Sequence, residues 1–323
     1  MGTNIAIGNL VGKRNTDTQK INFPFSNSLV DYWNFGGKSN FDKDRTTVTG
    51  LLGNVLTAYN FGWSLGSGYG LFKENYLTYN KAQNVFVTDD HTVTIMNFVP
   101  ANNWILSKYG NSQLNATRIR VTGLTANNQL AYGYSPTNDG ARVLMAIPSD
   151  GEYDLPKSVV NTQTYSVGFI VQNALSQNVT IQQIPEYEGA IVTDGIDDYL
   201  KLDKVGYKVG TIIIKFKPIN IKPNIVNSIL NIHTDEVALQ YDTSGVLNNN
   251  FTTYKNYEEY SVGTFNIDKN AVTPLTLGCK LSNSGSPMEY CNSALYSIAI
   301  YDRVLSDQEV QEVINFMDKE NKS

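Results

Sequence analysis

The sequence predicts an all-β protein, and three observations carry that prediction. Aromatic residues make up 11% of the chain, with 20 Tyr, against only 17% charged residues, a usage that suits sheets. The 25 Gly recur beside Asn and Asp in NDG, SDG and GN signals between short apolar runs, as turns between strands require. The runs themselves alternate: in TRIRVTGL, Ile119 and Val121 fall on one face and Arg118, Arg120 and Thr122 on the other, the pattern of a half-buried strand.

Taken in order, residues 1–28 are polar and irregular apart from a brief Ile5/Ile7 alternation, and read as an attachment arm. VDYWNFGGKSN and VLTAYNFGW are aromatic strands broken by Gly and Asn. Between Leu71 and Tyr187, TRIRVTGL, ARVLMAI, YSVGFIVQN and NVTIQQIP belong to a set of seven or so strands, enough for a small sandwich. GAIVTDGIDDYLKL follows, then VGTIIIKFKP, where Ile212, Ile214 and Phe216 share one face and predict a strand with one buried side. The chain closes on a helix: Ser306 and Glu309 form a capping box ahead of Val310, Val313, Ile314 and Met317 at helical spacing. At 323 residues the chain exceeds one ordinary core, so two units are expected. No fixed-period repeat or heptad run occurs.

The ordered blocks YWNF, GLLGNVLTAYNFGW, GAIVTDGIDDYLKL, TIIIKFKP, TPLTLG and ALYSIAIYDRVLSDQEVQEV resemble laminin-G-like, concanavalin A-like jelly-roll domains. Thr193 stands where that family has Phe before Asp194. The resemblance implies a jelly roll formed by 29–70 and 188–323, interrupted by a second β-sandwich at 71–187. Such an insertion is tolerated because the two ends of a loop lie close together. The succession VTGLT, SDGEYDLP, NVTIQQIPEYEGAIVTDGIDDY is similar, more narrowly, to virion structural proteins of crAss-like tailed phages of gut Bacteroidota. This likeness covers most of the chain from residue 29 and implies a head fibre or tail appendage.

Charge and composition exclude several classes. The formal net charge is −5 and the Lys and Arg are scattered, so no basic stripe is present for nucleic acid. No segment approaches 18 consecutive apolar residues, which argues against a membrane span. The N-terminal residues lack the apolar region of a signal peptide, so Sec secretion is not expected. Cys279 and Cys291 read as two free thiols.

TDGIDDY brings Asp194, Asp197 and Asp198 together around Gly195. In an extended segment Asp194 and Asp198 point one way and Asp197 the other, and the distal Glu of an EF-hand is missing. A turn is the expectation, with calcium the alternative and no metal or cofactor assigned. Jelly-roll glycosidases use a Glu-x-Asp-x-Glu run, which this chain lacks; HTDE at 233–236 and YEEY at 257–260 come nearest. With His91 and His233 the only histidines, a Ser-His-Asp triad or a His-rich zinc site is poorly supplied.

Aromatic side chains that could stack on sugars are Trp104 in the polar stretch PANNWILSKYG, Tyr132 and Tyr134 in LAYGYS, and Tyr257 in YKNYEEY. Trp33 and Trp63 lie in framework blocks and are expected in the core.

The expectation is therefore a non-enzymatic virion protein, assembled in the host cytoplasm, forming a projecting fibre or decoration. The resemblance implies a homotrimer bound to other virion proteins through the arm, with host or mucus glycans as ligands. A head fibre is favoured over a tail appendage because the chain is short and lacks a repetitive shaft. A free carbohydrate-binding, lectin-like module is the alternative, and a glycoside hydrolase the third reading.

Overall fold

The computed structural model describes residues 22–96, 99–125, 129–162, 165–233, 237–257, 259–265 and 273–321. Their strands form four large antiparallel sheets, stacked in pairs as two β-sandwiches, so the fold is all-β with one C-terminal helix.

In the first sandwich, strand Asn292–Tyr301 is the axis of the front sheet. It pairs along one edge with Thr211–Asn220 and along the other with Leu29–Asn34 and Ile191–Val192. The back sheet runs from Thr47–Thr49 through Val55–Tyr59, Tyr199–Leu202, Leu275–Leu277, Asn227–His233 and Val237–Tyr241 to Leu247–Asn249. Alternating side chains meet between the sheets: Trp33, Ile212, Ile214 and Ile298 from the front, Leu56, Leu200, Leu230 and Leu277 from the back. The turn after the first strand is tied by a buried carboxylate. Asp31 accepts the backbone N–H groups of Tyr32 (2.8 Å), Leu52 (2.8 Å) and Asn54 (2.9 Å) and the Asn54 amide (2.7 Å), so its lone pairs are matched.

Two expectations for this unit need correction. The strand Thr211–Asn220 is buried on both faces over its first half, because the helix Asp307–Asn321 covers the outer side of the front sheet. Ile213 packs there against Val310, Val313, Ile314 and Met317. A bulge between Lys215 and Phe216 shifts the register, and Phe216 is only half-buried at the rim of the inner core. The capping box is present as read: Ser306 N–H donates to Glu309 Oε2 (2.8 Å) and Glu309 N–H to Ser306 Oγ (3.3 Å).

The second correction concerns the arm, drawn over 1–28. Residues 1–21 lie outside the described residues, but 22–28 belong to the body of the first sandwich. Phe23 is 3% exposed, wedged between Tyr32 and Phe316. The Tyr301 hydroxyl donates to Pro24 O (3.0 Å) and Asp302 N–H to Ser28 O (2.9 Å). Phe23 and Phe25, flanking Pro24 in a short polar segment, are too few to set a period, so only the long-range contacts reveal the burial.

The second sandwich uses strands from Asn80–Lys81 to Val179–Ile184, which pair only with one another among the described residues. One sheet has the order Val143–Ile147, Leu130–Tyr134, Ser166–Val171, Asn103–Tyr109, Asn80–Lys81. The other has Gly151–Leu155, Thr117–Thr122, Val179–Ile184, Thr92–Ile95, Val85–Val87. Ile105, Leu130 and Phe169 of the first face Val93, Ile119 and Ile181 of the second. Among the described residues ten strands stand where seven or so are legible, the additional ones being short.

Both ends of this unit pass through one narrow junction. Gly68–Tyr69 pairs with Ile191–Val192, Gly70 N–H donates to Ala190 O (2.9 Å), Tyr187 N–H to Gly70 O (2.8 Å) and Glu186 N–H to Leu71 O (3.0 Å). Gly70 has φ +86°, and a Cβ there would stand 2.5 Å from Pro185 Cβ, so the close approach requires glycine. Beside the junction, Phe72 stacks on His91 at 3.8 Å and Ser64 Oγ donates to Asp90 Oδ2 (3.2 Å). No described helix is long and apolar enough to cross a membrane.

Candidate functional site

The segment 193–198 carries the chain from Ile191–Val192 in the front sheet to Tyr199–Leu202 in the back sheet. Such a crossover must reverse direction within a few residues. Gly195 does so at φ +72°, and a Cβ there would lie 2.8 Å from Asn292 N, which leaves glycine as the unstrained choice. Thr193 is buried, its hydroxyl donating to Cys291 O (2.6 Å). The larger Phe of the resembled pattern is thus replaced by a side chain that is tied by hydrogen bonding. Asp194 Oδ1 accepts from Ile196 N–H (2.7 Å) and Asp197 N–H (3.3 Å), and Asp198 Oδ2 accepts from Asp194 N–H (2.9 Å). These are the turn bonds that short acidic side chains supply.

The three carboxylates nevertheless converge, contrary to the extended-chain expectation. One oxygen from each of Asp194, Asp197 and Asp198 lies within 4.8 Å of the others. The left-handed Gly195 curls the segment, so the two-residue alternation of a strand no longer separates Asp197 from its neighbours. Asp197 is exposed, whereas Asp198 is 0% exposed and its Oδ1 has no hydrogen-bond partner. Burial pushes the Asp198 carboxyl up to about 6 against the Asp194 N–H and the Ser67 hydroxyl, with the charges of Asp194 and Asp197 adding to the rise. Asn292, packed against Gly195, donates its Nδ2 to Thr193 O (2.7 Å) and holds a second buried, unpartnered oxygen, Oδ1. Lys222 Nζ donates to Gly195 O, and Asn60 Nδ2 to Asp197 O (3.0 Å). Asn292, Ser67 and Lys222 are far from the loop in sequence and carry no local signal.

Of the aromatic candidates, Tyr132, Tyr134 and Trp104 lie in one sheet of the second sandwich. Tyr132 is 3% exposed and packs on Phe169 at 5.4 Å inside the second sandwich. The pleat turns it inward, which removes it from any sugar-stacking role. Tyr134 is half-buried, its ring stacked 6.1 Å from that of Tyr132. Trp104 stands in the strand Asn103–Tyr109, where a loop was expected. Its ring edge lies over Gly133, whose Cβ would meet Cη2 at 2.5 Å, and the Arg142 guanidinium sits 4.7 Å above the ring. Tyr257 ends the strand Thr253–Tyr257, and its side chain lies outside the described residues. Trp33 is wholly buried, while Trp63 is half-buried beside Phe61 and Tyr69.

The carboxylate and histidine candidates fare as follows. The His233 side chain, residues 234–236 and Glu258 lie outside the described residues, and the exposed Glu259 pairs with Lys215 (2.6 Å). His91 Nδ1 is 2.8 Å from Asp90 Oδ1 and 3.3 Å from Asp89 Oδ1. Ser64 bonds the other oxygen of Asp90, so the carboxylate separates hydroxyl from imidazole, whereas nucleophilic catalysis needs the imidazole on the hydroxyl. Cys279 and Cys291 are free and buried, with both thiols pushed up to about 12 by burial. A cleft of about 370 Å³ beside the junction is lined by Lys73, Arg118, Asp154, Leu155, Pro185 and Glu186. Its charges are engaged in Lys73–Glu186 and Arg118–Glu152 pairs. No known protein family, curated protein or solved structure matches the chain.

Proposed function

We propose that this chain is a non-enzymatic structural protein of a tailed-phage virion, built as a projecting fibre or decoration of the head. The observation that carries the reading is the junction at 68–71 and 186–192. Both ends of the second sandwich run through one paired, glycine-dependent stem on the first, an arrangement suited to displaying one unit from the end of another. The resemblance of the succession VTGLT, SDGEYDLP, NVTIQQIPEYEGAIVTDGIDDY to virion proteins of tailed phages supplies the biological context. The first sandwich then serves as the base, residues 1–21 as the attachment segment to other virion proteins, and the second sandwich as the displayed unit. Several copies on a symmetric oligomer, a trimer by the same likeness, gain avidity through high effective concentration. Host or mucus glycans are the ligands this display would serve. Of the aromatic candidates, the burial of Tyr132 leaves Trp104, Tyr134 and Tyr257.

Immunogold labelling of purified phage particles with antibody raised against this chain tests the reading. Label on the capsid is the expected result. Label on the tail would move the protein to the appendages, and particles without label would overturn a virion role.

A further inference from the structure

The outer face of one sheet of the second sandwich carries a cation that the fold leaves uncompensated. Leu144 lies directly opposite Gly133 across a strand pair, while Tyr132, one position earlier, packs inward on Phe169, so Gly133 and Leu144 face outward. A Cβ at Gly133 would meet Trp104 Cη2 at 2.5 Å and Leu144 Cδ2 at 3.2 Å. The missing side chain lets the indole lie close against the sheet. The Arg142 guanidinium sits over that indole, 4.7 Å from the ring centroid, and 5.6 Å from the centroid of the Tyr165 ring. Its one side-chain hydrogen bond among the described residues runs from Nη1 to Ser166 O at 3.3 Å. Arg118, Arg120 and Arg303 are each paired with a glutamate, whereas Arg142 meets no carboxylate among the described residues. A guanidinium offers five N–H donors, so most of this fork is unused.

The geometry points to Arg142, seated on Trp104 and Tyr165, as the anchor for a sugar that carries a carboxylate, a sialic or a uronic acid. The inference rests on the glycan-display reading and adds the place and the class of sugar. A guanidinium fork binds a planar carboxylate through two parallel N–H bonds. The two rings hold that fork in place before a ligand arrives, which lowers the ordering cost of binding. Leu144 and Tyr165 stay 42% and 40% exposed and offer apolar area to the C–H face of a pyranose. Trp104 acts here as a positioning residue for the guanidinium. A lone cation suits a ligand with one charge per recognised unit, because nucleic acid is held by many Lys and Arg contacts at once. Among the described residues Arg142 alone sits over these two rings.

The test titrates the purified full chain with 3′-sialyllactose, a glucuronate disaccharide and neutral lactose, followed by calorimetry and by ligand-observed saturation-transfer NMR. At least one acidic sugar should bind at one site per chain and at least about tenfold more tightly than lactose, the margin expected of charge-assisted hydrogen bonds. Which of the two binds identifies the source of the carboxylate. Arg142→Gln should keep the wild-type circular dichroism and melting temperature, since the side chain is half-exposed, and should remove the preference for the acidic sugar. Arg118→Gln, a cation of the opposite sheet already paired with Glu152, should bind as wild type does. Lactose bound as tightly as both acidic sugars, or acidic-sugar binding that survives Arg142→Gln, overturns the inference and leaves the display reading standing. Absence of binding by either acidic sugar up to about 10 mM, weaker than the roughly −4 kcal/mol of a millimolar ligand, overturns it as well. Because the titration uses protein free of particles, none of these results depends on where the chain sits in a virion.

Discussion

Replacing Phe23 by Ala tests whether the segment 22–28 is arm or core. The ring is 3% exposed, 4.7 Å from Tyr32 and 5.0 Å, edge-on, from Phe316. Burial of a Phe side chain and its aromatic contacts is worth about 3–5 kcal/mol when the cavity cannot close. Closure is resisted here because the backbone on the C-terminal side is pinned by Tyr301 on Pro24 O and by Asp302 on Ser28 O. A domain of roughly 190 residues shifts its Tm by about 2–4 °C per kcal/mol, so the first sandwich should melt about 6–20 °C earlier. Differential scanning fluorimetry of the full chain, with calorimetry to separate the two sandwiches, reads the shift. A Tm within about 2 °C of wild type would refute the core assignment. The same wedge dictates how the attachment segment is tested. A deletion ending at residue 28 removes core along with arm, whereas one ending at residue 21 leaves Phe23 in place and makes particle incorporation interpretable.

Two further outcomes are expected. Glu309 is held well below the ordinary carboxylate value, at about 2, first by Arg303 (2.7 and 2.9 Å) and then by the Ser306 N–H. Its folded-state value is depressed, so its contribution is complete above pH ~5 and lost as pH falls towards 2. The Tm gap between wild type and Glu309→Gln should therefore narrow on acidification, and a gap independent of pH contradicts the pairing. Cys279 and Cys291, buried and pushed up to about 12, should be inert to Ellman's reagent in the native state at about pH 8 and both react in concentrated guanidinium. Rapid native labelling, or fewer than two thiols after denaturation without reductant, would contradict two free, buried cysteines.

Features set by neighbours along the chain were legible before the fold was known. The alternation in TRIRVTGL became a strand with Ile119 and Val121 inside, because a two-residue period places side chains on opposite faces whatever the strand pairs with. The capping box at Ser306 and Glu309 is closed by bonds three residues apart. Gly195 was readable as a left-handed turn because that conformation excludes side chains locally.

What only the tertiary structure decided is which surface covers which. Ile213 and Tyr132 have ordinary strand positions, and their burial depends on a helix nearly a hundred residues away and on a facing sheet. Phe23 becomes core through Phe316, at the far end of the chain. The crossover at 193–198 shows the division most plainly. The aspartates and the glycine were visible as a motif. Their convergence depends on the path between two sheets, and the unpartnered oxygen of Asp198 depends on burial by remote residues. A sequence specifies such contacts only through the whole fold, because burial and ligand geometry arise from long-range packing, whereas periodicity and turn chemistry act between residues already close along the chain.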